Sequence, residues 1–252
     1  MSYPNDLTIE VCVDNFEMAL AAERLGASRI ELCSSLVEGG ITPPLSLMEM
    51  VCETLTIPVH VMIRPRAGDF LYGDAEFALM KKDIQHALMA GASGVVFGVL
   101  CSDGTIDRER CQELVSLASP MDVTFHRAFD MTVEPFFALE EIIAIGCQSL
   151  LTSGQLQTAE DGLELIRELV KRAGDRIEIV AGGGVNPGNV VLLHEAGVKA
   201  FHFTSRKKVD GAMKYKNEVL QSMGNISRYD EYGVYVFDET KLTGIYKALS
   251  EA

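Results

Sequence analysis

The sequence has no CxxC pair, no Lys/Arg run longer than "RKK" at 206–208, and no uninterrupted apolar run approaching membrane-spanning length. The opening "MSYPNDLTIE" lacks both the basic n-region and the apolar h-region of an export signal. Basic residues are also in short supply, 22 against 36 acidic, for a net charge of −14. A nucleic-acid backbone or an anionic membrane surface would be repelled by such a chain. The expected setting is therefore cytoplasmic, with no nucleic-acid partner and no membrane partner. In that setting the scattered cysteines Cys12, Cys33, Cys52, Cys101, Cys111 and Cys147 are expected as reduced thiols, and a reduced thiol can ligate a soft metal.

Apolar residues make up 48% and charged residues 23%, an ordinary globular balance with ample material for a core. The 252 residues match the length of about 250 typical of one α/β barrel. Short β-branched runs, "LTIEVCVD", "RIELCS", "VHVMIRPR", "GVVFGVL", "VTFHRAFD", "SLLTSG", "IEIVAGG" and "AFHFTS", alternate with amphipathic helical patterns such as "RERCQELVSLAS" and "DGLELIRELVKRAG". This order predicts a single closed (β/α)8 TIM barrel over about 8–205, with an extension at 206–252 read as a covering segment and a terminal helix. A doubly wound open sheet is the alternative. A faint repeat, "LGASRIEL", "AGASGVVF", "IGCQSLLT" and "AGVKAFHF", puts Gly26, Gly91, Gly146 and Gly197 where a helix ends before each even-numbered strand.

Period two sorts each strand into a helix-facing and a barrel-facing set. The inward set comprises Glu10, Cys12 and Asp14, then Glu31 and Cys33, then His60, Met62 and Arg64, then Thr124 and His126, Glu178, and finally His202 and Thr204. Barrels ordinarily fill this space with Val, Ile and Leu. Buried charges persist only if they satisfy one another, hold a ligand or stay wet, so this lining is either a self-satisfied network or a site.

Three features point to a site at the C-terminal mouth. "MIRPRAGDF" keeps Arg64 and Arg66 on an extended segment around Pro65, ready for a carboxylate or phosphate, unless they form rim ion pairs with Asp69 or Asp130. "VTFHRAFDM" adds His126, Arg127 and Asp130, while "VAGGGVNPGN" and "LLTSGQ" add Gly183, Gly184 and Ser153 as turns able to cradle an anion. His60, Arg64, Arg66, Arg127, Asp130, Ser153, Gly183 and Gly184 are thus candidate anion ligands. Were the protein an enzyme for a small anionic substrate, His126 would be its acid/base and Glu31 a partner or second base. The other reading is metal: Cys12 and Cys33 lie at matching inward positions on adjacent strands with Met62 and His60 nearby, a soft set suited to Cu(I). Packing as small hydrophobes is the alternative for those cysteines.

Five stretches in order, "EVCVDNFEMALAAERLGASRIELCSSLVEGGITP", "VMIRPRAGDFLY", "VTFHRAFDM", "LLTSGQ" and "GGGV", resemble the CutC family, from about Thr8 to Ser205 and more weakly through "MKYKNEV". The resemblance implies a (β/α)8 barrel and a cytoplasmic homo-oligomer, with a dimer favoured. It also implies a role in copper homeostasis with Cu(I) as the bound ion. By motif match the family's metal-site cysteines fall on Cys12 and Cys33, with Cys52 a weaker candidate on a helix.

Overall fold

Runs of β-branched residues, each too short to bury both of its faces alone, close on one another in chain order. The computed structural model describes residues 7–217, 219 and 230–252. Eight parallel strands, β1 (Thr8–Val13), β2 (Arg29–Leu32), β3 (Val59–Met62), β4 (Gly94–Phe97), β5 (Asp122–Phe125), β6 (Ser149–Thr152), β7 (Glu178–Gly182) and β8 (Ala200–Thr204), pair successively, and β8 returns to β1. The expected (β/α)8 barrel is what the chain forms. Ile9, Val11, Ile30, Val61, Val95 and Phe201, on the outward strand faces, are buried in the main apolar core, under an outer ring of helices.

That ring comprises α1 (Phe16–Arg24), α2 (Leu45–Thr54), α3 (Asp74–Met89), α4 (Arg108–Ala118), α5 (Pro135–Ile145), α6 (Leu163–Ala173) and α7 (Val190–Glu195). The four repeated glycines adopt φ of +91° at Gly26, +84° at Gly91, +99° at Gly146 and +94° at Gly197. Each turns the chain from a helix toward an even-numbered strand through the left-handed region that side chains disfavour. None of the described helices is long and apolar enough to cross a membrane.

Two boundaries differ from the sequence expectation. Strand β5 stops at Phe125 rather than running through "VTFHRAFD", because His126 caps a 3₁₀ turn over Arg127–Met131, its Nδ1 accepting from the Ala128 N–H at 3.2 Å. The extension is also more than a loop and a helix. Strands β9 (Arg206–Asp210) and β10 (Gly233–Phe237) form an antiparallel ribbon, and α8 (Glu239–Ser250) then buries Leu242, Ile245, Tyr246 and Leu249. The Tyr246 hydroxyl donates to the Gly26 carbonyl, tying this helix to the end of α1. Residues 218 and 220–229 of the expected covering segment lie outside the described residues.

Candidate functional site

Closing the barrel brings β8 beside β1, with Glu10 opposite His202 and Cys12 opposite Thr204. On the other side Glu10 is opposite Arg29 and Cys12 opposite Glu31. The lower lumen is a charge-balanced layer. Glu10 accepts from Arg29 Nε at 2.5 Å and from His202 Nδ1 at 2.7 Å, while Glu178 accepts from Thr8, Ser149 and Arg29. Burial alone would raise the Glu10 carboxyl, but Arg29 and His202 outweigh it and hold it far below the usual carboxylate range. Burial opposes charge on His202, yet Glu31 and Glu10 outweigh that and push the imidazole well above its ordinary value. Glu10, Arg29, Glu178 and His202 satisfy one another in this part of the lumen, while Nδ1 of the neighbouring His60 has no partner.

One layer higher the satisfaction ends. The Cys12 and Cys33 sulfurs lie 3.6 Å apart, and both donate to a single Glu31 oxygen, at 3.3 and 3.2 Å. All three residues are buried, and their ligand atoms fall within 4.8 Å of one another. The other Glu31 oxygen has no partner. Met62 belongs to the same small apolar cluster as the two cysteines. Gly40 explains the tight seating: a Cβ there would come within 3.0 Å of the Cys33 sulfur and 3.7 Å of the Met62 methyl. Burial and the adjoining Cys12 push the Cys33 thiol well above its ordinary value, and burial likewise raises the Glu31 carboxyl. A second group of possible ligands, Glu10, Glu31 and His202, is geometrically close. Glu10 and His202 are already spent on each other there.

Above the thiols a cavity of about 280 Å³ opens at the C-terminal ends of the strands. Its wall includes Arg64, His126, Arg127, Gly183, Gly184 and Lys241. Arg64 is 7% exposed and donates only to carbonyls, those of Glu38, Gly40 and Gly68. Its guanidinium also lies over the Phe70 ring at 5.1 Å. Arg127 donates through Nε to Asp130 at 2.7 Å and through Nη2 to Ser153 at 2.6 Å. Asp130 in turn accepts from Thr152, Ser153 and Gln155, so Asp130 and Ser153 brace Arg127 from behind rather than lining the cavity. His126 is held neutral, its pKa pushed to about 3 by burial and then by Arg64.

Besides Asp130 and Ser153, two more expected ligands sit off the cavity wall. Arg66 turns away to Glu76 at 2.6 Å and Asp69 at 3.0 Å, the rim ion pairing that its sequence position also allowed. His60 is buried in the lower lumen, off the cavity wall, with burial pushing its pKa to about 4. Cys52 is half-buried on α2, outside the thiol cluster.

Four contributors were not singled out from sequence. His202 was placed inward but given no role, although its partner is 192 residues away. Lys241, from α8, reaches the cavity and donates to the Thr204 carbonyl at 2.9 Å. Gly94 and Gly98 seat the two imidazoles: a Cβ at Gly94 would lie 2.6 Å from the His60 ring, and one at Gly98 would lie 2.7 Å from His126 Nδ1. The signal was present in "GVVFG", whose two glycines share the inward face of β4 and its extension.

Fold and site together define a (β/α)8-barrel protein with a buried thiol pair beneath a cavity at the C-terminal mouth, lined by Cys12 and rimmed by Arg64, Arg127 and Lys241. The chain belongs to the CutC family, whose model matches residues 7–207. It is 47% identical over 239 residues to the copper homeostasis protein cutC homolog of Mus musculus, covering 94% of this chain and 88% of that one. It is 42% identical over 246 residues to a CutC family protein of Histophilus somni, covering 97% of this chain and all of that one. The crystal structure of the putative copper homeostasis protein CutC from Streptococcus agalactiae superposes with a TM-score of 0.75 at 32% identity, over 78% of this chain and 97% of that one.

Proposed function

We propose that this protein binds Cu(I) between Cys12 and Cys33 and takes part in handling copper inside the cell. The observation that carries the reading is the 3.6 Å separation of two buried thiols, one of which, Cys12, lines the floor of an open cavity with Cys33 directly behind it. Two sulfurs bound at about 2.3 Å, the usual length to a thiophilic ion, can be no farther apart than about 4.6 Å. At the separation present here they would subtend an angle of about 100°, which leaves an open side for a further ligand. A soft ion that accepts low coordination numbers fits such a donor set. A hard cation would want six or more oxygens, and among the described residues Glu31 is the carboxylate grouped with the pair.

Both thiols must lose protons to become thiolates. Cys33 resists this because of its burial, so it is protonated until a cation arrives. Glu31, already accepting from both sulfurs and raised by burial, can take one of those protons, and the other leaves to solvent through the cavity. Copper affinity therefore rises with pH, by about tenfold per pH unit for each proton released. Cytoplasmic location and assembly as a homo-oligomer, with a dimer favoured, belong to the same proposal and rest on the family resemblance.

Anaerobic competition against a Cu(I) chelator tests the reading, comparing the wild type with a Cys12→Ser, Cys33→Ser double variant. The expected result is one Cu(I) per chain in the wild type and a loss of affinity of at least about a hundredfold in the variant, roughly 2.7 kcal/mol. Equal affinity in the two proteins would remove the site.

A further inference from the structure

The thiol floor explains only the bottom of the cavity. Its rim makes the opposite electrostatic demand, because Arg64, Arg127 and Lys241 repel a cation approaching from solvent. We propose that this rim is a binding site for the oxyanion head, phosphate or carboxylate, of a small organic metabolite, separate from the bound metal.

Four observations support the assignment. Arg64 is a buried guanidinium that forms no ion pair with any carboxylate among the described residues, and, although the Tyr72 hydroxyl approaches its side chain, its Nε makes no hydrogen bond of ordinary geometry. A buried charge left without a counter-charge is unfavourable, and an anion in the adjoining cavity relieves it. His126 presents a donor: its Nδ1 accepts from the Ala128 N–H, so in the neutral ring the proton resides on Nε2. That Nε2 is buried and unpartnered.

The third observation is the glycine turn after β7. Gly183 and Gly184 adopt φ of +94° and +80°, and neither N–H donates to another group among the described residues. A Cβ on Gly183 would lie 3.3 Å from Arg127 Nη1, so the missing side chain is what lets the guanidinium approach this backbone. Successive free amides of this kind form an anion-receiving concavity. Finally, among the described residues the only carboxylate on the cavity wall is Glu31, which already accepts from both thiols. Donors thus converge at the rim, where Arg127 keeps Asp130 and Ser153 behind it and Lys241 the Thr204 carbonyl, while Arg64 has no carboxylate partner among the described residues. Leu36, Phe70, Val185 and Phe203 supply apolar wall for the body of the ligand, and a volume of about 280 Å³ restricts it to a small one.

Isothermal titration of the copper-free full-length protein, at constant ionic strength and neutral pH, tests the site with inorganic phosphate and with malonate as probes. At least one probe is expected to bind saturably at one site per chain, with phosphate or malonate winning according to the head group the rim prefers. Affinity should fall at least about tenfold in Arg64→Gln and in Arg127→Gln. The second variant changes a half-exposed side chain and remains informative if the first misfolds. The Cys12→Ser, Cys33→Ser variant should bind the probe within about twofold of wild type, which separates this site from the copper reading. Absence of saturable binding for both probes up to about 10 mM would overturn the proposal. So would an equal response to chloride, or unchanged affinity in Arg127→Gln.

Discussion

His126 and His60 show how single side chains tie the stability of the barrel to pH. Burial depresses both, to about 3 and about 4 from an ordinary 6.5. Between pH 6.5 and 4 the unfolded chain binds protons on these rings that the native protein refuses. Stability therefore rises with pH across that window and is lost as pH falls below 6.5. His202 has the opposite sign. Its raised pKa gives stabilisation that is full below 6.5 and fades as pH climbs through the folded value. Urea unfolding at pH 5 and pH 7 separates the contributions: His126→Gln is expected to lose less stability on acidification than wild type. The difference is bounded by about 1.4 kcal/mol per pH unit for one proton. Parallel pH profiles in the two proteins would show that His126 is not held neutral.

At the scale of elements, what was legible in the sequence depended on whether the needed geometry was local. Period two placed Cys12, Glu31 and Cys33 inward, and the pairing of neighbouring strands β1 and β2 then brought them into contact. That inference required only the alternation and chain order. The Glu10–His202 pair was beyond reach, because it depends on the register with which β8 closes onto β1. Barrel shear sets that register, and no short stretch of sequence encodes it. The ribbon of β9 and β10 escaped for a different reason. "RKKVD" has neither an apolar alternation nor a buried face, so only its partner strand identifies it.

Strand β4 makes the most exposed claim at this scale, that glycines were placed to admit imidazoles. Gly98→Ala would force a methyl to within 2.7 Å of His126 Nδ1 and 2.9 Å of the Ala128 Cβ. Overpacking of this kind costs about 1–3 kcal/mol, to be read as a lower urea midpoint at unchanged m-value. A midpoint equal to that of wild type would mean that the turn after β5 yields freely.

For the whole molecule, the net charge of −14 and the cationic cavity rim must be held together. Acidic side chains dominate the chain, yet the C-terminal mouth gathers Arg64, Arg127 and Lys241 around a neutral imidazole, above Cys12 and the Cys33 thiol buried behind it. The extension contributes directly, since Lys241 reaches the mouth from α8 while Leu242, Ile245 and Leu249 on the same helix pack into the core. Barrel and extension thus complete one cavity, with the proposed soft-donor site at its floor and the proposed oxyanion site at its rim. The central claim concerns that floor, and X-ray absorption at the copper edge of the anaerobically Cu(I)-loaded protein tests it most directly. The account predicts two or three sulfur neighbours at about 2.3 Å, lost in the Cys12→Ser, Cys33→Ser variant. A first shell of nitrogen and oxygen alone, or a spectrum unchanged by the double substitution, would contradict it.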